Sequence, residues 1–120
     1  FKYSGLWYLA IVKSNIRVFP VLSHAGNLHT LQLTYGQLGP LLPNSTFIRM
    51  NNELNTIDVS GNQIETIPAS FFANMTKLQK FHAHDNNIKV VGDLTVHVNL
   101  GKYFIPIVKQ IFKISATINQ

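Results

Sequence analysis

Cysteine is absent from this sequence, which excludes disulfide bonds, thiolate nucleophiles and cysteine-ligated metals. Acidic residues are scarce. Glu53, Asp58, Glu65, Asp85 and Asp93 stand against ten Lys and Arg, for a net charge of +5. The basic excess comes from missing acids, not from a basic cluster. Lys2, Lys13, Arg17, Arg49, Lys77, Lys80, Lys89, Lys102, Lys109 and Lys113 are spread along the whole chain, whereas electrostatic capture of nucleic acid needs clustered charge. No nucleic-acid partner is expected. Charged residues make up only 12% of the chain and hydrophobic ones 46%, the reverse of the balance that keeps a chain disordered. Uninterrupted apolar runs fall short of the roughly 18 residues of a membrane-spanning helix, so this segment is not expected to insert into a membrane. The start, Phe1-Lys2-Tyr3-Ser4, has neither an initiator Met nor a basic stretch before an apolar core. No signal peptide is read there, and the chain is expected to begin inside a longer polypeptide.

Catalytic constellations are also missing. The sequence has no Gly-x-Ser-x-Gly turn, no phosphate-binding loop and no His-Glu-x-x-His. Its five acids lie in five separate segments and offer no evident carboxylate pair for acid–base work. Neither an enzymatic activity nor a cofactor is expected.

What is present is a repeat. From Leu54 the chain reads Leu54-Asn-Thr-Ile57-Asp-Val59-Ser-Gly-Asn62-Gln-Ile64. From Leu78 it reads Leu78-Gln-Lys-Phe81-His-Ala83-His-Asp-Asn86-Asn-Ile88. Apolar residues recur at the first, fourth, sixth and eleventh positions, and Asn at the ninth. Upstream, Leu28, Leu31, Leu33 and Leu38 repeat the pattern with Gly36 in place of Asn, and Leu6, Leu9, Ile11 and Ile16 repeat it with Ser14 there. Residues 1–91 thus hold four units, starting near 6, 28, 54 and 78. Residues 92–120 fit either a degraded fifth unit, through Lys102, Ile105, Ile107, Gln110 and Phe112, or a capping hairpin that joins Leu94–Leu100 to Tyr103–Val108.

Each unit predicts a short strand whose alternating apolar residues point inward. One such strand cannot bury its own face, so successive units are expected to stack into a parallel sheet over a shared core. At about 4.8 Å per strand, four or five units give a sheet roughly 20–25 Å long. The expected inward set is Leu6, Leu9, Ile11, Leu28, Leu31, Leu33, Leu54, Ile57, Val59, Leu78, Phe81 and Ala83. Asn62 and Asn86 are expected to satisfy backbone groups left unpaired in the turn after the strand. Ser14 and Gly36 interrupt that Asn ladder, so the N-terminal half is expected to be looser.

The pattern resembles the leucine-rich-repeat family. The return arm Ile67-Pro68, Phe72, Met75 and Leu78 resembles the typical extracellular subclass, as in Toll-like and insect immune recognition proteins. The resemblance covers residues 6–91. It implies an α/β-type solenoid: an arc with a short parallel sheet on its concave face and irregular or short helical convex arms, with Phe72 in the core. It also implies that residues between the inward ones line the concave face. Those are Tyr8, Ala10, Val12 and Lys13; Thr30, Gln32, Thr34 and Tyr35; Thr56, Asp58, Ser60 and Gly61; Lys80, His82, His84 and Asp85. Tyr8, Lys13, Gln32, Tyr35, Asp58, Lys80, His82, His84 and Asp85 are the candidate contacts for a protein ligand or co-receptor. Assembly with further copies or with different chains is compatible with this reading. An alternative for Asp58, His82 and His84 is a divalent metal, since two His and a carboxylate would share one face; two solvated His and an unrelated acid explain them as well. The sequons Asn44-Ser45-Thr46 and Asn74-Met75-Thr76 lie on return arms and, as acceptors for N-linked glycan, point to a secreted or cell-surface glycoprotein. The function implied is protein–protein recognition, with an innate-immune receptor among the settings. A structural matrix or scaffold solenoid without its own ligand is the alternative.

Overall fold

The computed structural model describes residues 5–22, 25–43, 53–72, 75 and 77–92. The sequons at Asn44 and Asn74 and the C-terminal segment 93–120 lie outside the described residues. Four strands make the main sheet: β1 (Tyr8–Val12), β2 (Thr30–Thr34), β3 (Thr56–Asp58) and, after β4 (Thr66–Ile67), β5 (Lys80–His82). Their order is β1-β2-β3-β5, and every pair is parallel. The register follows the sequence phase without slippage. Leu9 pairs with Leu31, Leu31 with Ile57, and Ile57 with Phe81. A shift of one residue would turn each apolar set to solvent, so the alternation itself sets the register.

The expected inward residues collect in one core. Leu28, Leu31, Leu33, Leu54, Ile57, Val59, Leu78, Phe81 and Ala83 are buried, while Leu6, Leu9 and Ile11 are half-buried against them. Among the described residues β1 stands at one end of the sheet.

The return arms hold more order than expected. Thr66–Ile67 (β4) pairs in parallel with β6 (Val90–Val91), and Leu41 bridges to Thr66. A second short parallel sheet therefore runs through segments expected to be irregular. Among the described residues the helical part is one short 3-10 helix, Ala69–Phe72, directly after Pro68. Its Phe71 and Phe72 are fully buried. Edge-to-face contacts join Phe71 to Phe19 at 5.7 Å, to Phe72 at 5.1 Å and to Phe81 at 6.1 Å. Phe72 meets Phe81 at 5.1 Å. Such pairs add to simple area burial, and they tie the first unit's return arm to the third unit's and to β5. Among the described residues no helix is long and apolar enough to cross a membrane.

Candidate functional site

The turn after each main strand positions the candidate side chains. Lys13, Tyr35, Gly61 and Asp85 occupy the eighth position of successive units, and all four have positive φ, from 53° to 73°. This left-handed residue bends the chain out of the strand, and three of them donate the same inter-unit bond. Lys13 N–H reaches Thr34 O, Tyr35 N–H reaches Ser60 O, and Gly61 N–H reaches His84 O, each at 2.9 Å. Side chains other than Gly, Asn and Asp seldom adopt this region, so Lys13 and Tyr35 are held there by the ladder.

Asn62 and Asn86 brace the same turn from inside. The buried Asn62 Oδ1 accepts from Gly36 N–H at 3.1 Å and Leu38 N–H at 3.4 Å. Its Nδ2 donates to Leu33 O at 2.7 Å, Val59 O at 2.9 Å and Ser60 O at 3.1 Å. Asn86 repeats this one unit on, accepting from Asn62 N–H and Ile64 N–H and donating to Val59 O, Ala83 O and His84 O. Among the described residues Ser14 makes a local bond, accepting from Ile16 N–H at 3.2 Å. Gly36 has its own reason: a Cβ there would stand 2.7 Å from Ile16 Cγ2 and 3.0 Å from Asn62 Oδ1.

On the outer face of the main sheet, hydrogen bonds link candidate residues across units. Tyr8 Oη donates to Gln32 Oε1 at 2.7 Å. Tyr35 Oη donates to Asp85 Oδ2 at 3.0 Å, across the intervening third unit. The Tyr35 ring passes over Gly61, where a Cβ would lie 2.4 Å from a ring carbon, so Gly61 serves both its φ and this crossing. Tyr8 and Tyr35 are about half exposed. The bond to Asp85 and then the charge of that carboxylate hold the Tyr35 hydroxyl above its usual pKa, with smaller contributions from burial and from Asp58.

The remaining candidates surround this strap. Lys13, Lys80, His84 and Asp85 are exposed, and Gln32, Asp58 and His82 are partly buried. Asp58 pairs with His82 in the β3–β5 register, and the His82 and His84 rings are 5.9 Å apart. The metal alternative does not follow from this: Asp58 Oδ1 turns back to accept from Ser60 N–H at 3.0 Å, and among the described residues no group of three His or acids is arranged to hold a metal ion. Two residues expected on the open face are buried instead. Ser60 points its Oγ at the next unit and accepts from His84 N–H at 3.0 Å. Thr34 is 2% exposed, and its Oγ1 has no hydrogen-bond partner among the described residues.

Comparison of the chain with protein-family models and with curated proteins finds no match.

Three features were not read from the sequence. Trp7 stacks on His29 at 4.3 Å and 10° between planes. Both occupy the second position of their units, so the phase carried that signal. Opposite charges also recur in phase: Lys77 meets Glu53 at 3.0 Å and Lys89 meets Glu65 at 3.1 Å, each pair 24 residues apart. Finally, Arg17, Val18, Phe19, Val21, Leu38, Leu41 and Pro43 line an open, largely apolar groove of about 310 Å³, where no pocket was expected.

Proposed function

We propose that this chain is part of a leucine-rich-repeat solenoid and recognises another protein through the outer, concave face of its main sheet. The observation that carries the reading is the strapped surface on that face. Tyr8–Gln32 and Tyr35–Asp85 are hydrogen-bonded across units, so half-exposed aromatic side chains are already ordered before any partner arrives. Ordering in advance lowers the entropy cost of association, and tyrosines of this kind are frequent anchors of protein interfaces. The charged candidates are of mixed sign, Lys13 and Lys80 with Asp58 and Asp85. That composition suits a wet, specific protein contact rather than attraction to a polyanion. Matching positions in four units and the Asn62–Asn86 ladder support the solenoid reading.

Secretion and the setting of a cell-surface glycoprotein, an immune receptor among them, rest on the sequons Asn44-Ser45-Thr46 and Asn74-Met75-Thr76. The test is a screen of the chain against displayed extracellular protein domains, repeated with Tyr35→Ala, His82→Ala, Lys77→Ala and Lys89→Ala. Binding should fall at least about tenfold with the first two and stay nearly unchanged with the last two, whose side chains form exposed ion pairs. Loss confined to the lysine variants would move the site off the sheet face.

A further inference from the structure

The outward row of β5 is basic. Lys80 and His82 alternate with the buried Phe81, and His84 follows beyond the buried Ala83. Alternate residues of a strand share a face and stand about 7 Å apart. The His82 and His84 rings lie 5.9 Å from each other. Their backbone is fixed to the preceding unit. His82 O accepts from Val59 N–H and His84 O from Gly61 N–H, each at 2.9 Å, and His84 N–H donates to Ser60 Oγ at 3.0 Å. These side chains rise from the outer face and not from the end of the sheet, so a further strand beside β5 would lengthen the row without covering it.

The acids of the same patch are already engaged. Asp58, beside His82 in the register, turns Oδ1 to Ser60 N–H, and Asp85 accepts from the Tyr35 hydroxyl. Among the described residues no ion pair joins either acid to Lys80, His82 or His84. The titratable groups around the two imidazoles are Asp58 from β3, Tyr35 from the turn after β2, and Lys80 and Asp85 from their own unit. With both imidazoles neutral, one lysine and two aspartates leave this patch at −1; with both protonated it stands at +1.

We infer, resting on the recognition face proposed above, that this row receives an acidic segment of the protein partner and that acidification strengthens the contact. Carboxylates two residues apart on an extended segment match the spacing of Lys80, His82 and His84. Imidazole is the side chain that gains its charge between about pH 8 and 5. As the pair takes up protons, the patch turns from repelling such a segment to attracting it. The carboxylates of the segment stay ionised over the same range, because they titrate near about 4.

The probe is the extended peptide Glu-Thr-Glu-Thr-Glu, with Gln-Thr-Gln-Thr-Gln as its uncharged control. Each is titrated against the full 120-residue chain at about pH 5.5 and about pH 7.5, in about 0.1 M salt, and followed by NMR chemical shifts. The Glu peptide should bind at least about tenfold more tightly at the lower pH, and the Gln peptide at neither. Lys80→Gln should weaken binding at both. The double variant His82→Gln and His84→Gln should remove the pH dependence, with circular dichroism unchanged, and His29→Gln should keep it. Lys89→Gln lowers the net charge by the same amount beside β6 and should leave binding as it is. Equal affinity at the two pH values would overturn the inference. So would a pH dependence that survives the double variant, or equal losses with Lys80→Gln and Lys89→Gln. A displayed protein domain that needs Tyr35 equally at both pH values, beside a peptide indifferent to pH, would overturn it and leave the recognition face standing. A peptide bound as expected, beside a protein partner indifferent to Tyr35→Ala, would support the basic row and remove the tyrosine anchor.

Discussion

Asn62 shows how one side chain can hold two units together. It is buried, and its amide bonds the backbone of residues 33, 36, 38, 59 and 60. Asn62→Ala removes this partner from Leu33 O and from the Gly36 and Leu38 N–H groups, while Val59 O and Ser60 O keep bonds from Asn86 Nδ2 and Tyr35 N–H; it should cost about 3 kcal/mol, whereas the neighbouring exposed Gln63→Ala should cost well under about 1. Denaturant melts of the two variants check this, and equal small losses would show that Asn62 is only a turn residue. Tyr35 offers a second residue-scale test. Its hydroxyl pKa is raised in the folded chain, so its contribution is complete below the unfolded value near 10 and is lost as pH rises through the higher folded value. The stability gap between wild type and Tyr35→Phe should therefore narrow above about pH 10; a gap that stays constant would show that the Asp85 bond contributes nothing. Some of this scale was legible beforehand. Asn at the same phase after β3 and β5 announced an inward amide, because few other residues can both donate and accept there. The strap was not legible. Tyr and Lys carry no preference for positive φ, so nothing in the letters placed Lys13 and Tyr35 in the left-handed region beside Gly61 and Asp85. Thr34 and Ser60 share the outward parity of their strands, yet neighbouring units bury them. Parity says which way a side chain points, not what lies over it.

At the scale of elements, the main strands were readable and the second sheet was not, for the same reason. Alternation over L-x-x-L-x-L spans enough residues to show a period of two, and the equal phase of four units predicts the parallel register. Thr66–Ile67 and Val90–Val91 are two residues each, too short for any period to appear. The 3-10 helix depends on what it buries. Phe71 meets aromatic rings from three segments, and Phe71→Ala should cost about 3–5 kcal/mol, a cavity cost typical of a large core side chain. The midpoint shift in thermal or denaturant unfolding measures it. A loss under about 1 kcal/mol would mean that the helix collapses onto the gap and that the return arm is not a rigid part of the core.

For the whole molecule, division of labour follows from the repeat. Among the described residues, inward positions are spent on one continuous core and turn positions on inter-unit bonds, which leaves the outward positions for partners. The ion pairs Lys77–Glu53 and Lys89–Glu65 are exposed and contribute little to stability, as surface pairs do. Site-specific photo-crosslinking to a bound extracellular protein tests most directly the proposal that recognition uses the strapped sheet face. A benzophenone side chain at Gln32 or Lys80 should form a covalent adduct with that protein, and one at Lys89 or Val90 should not. Adducts only from Lys89 or Val90 would place the partner on the other sheet and contradict the account.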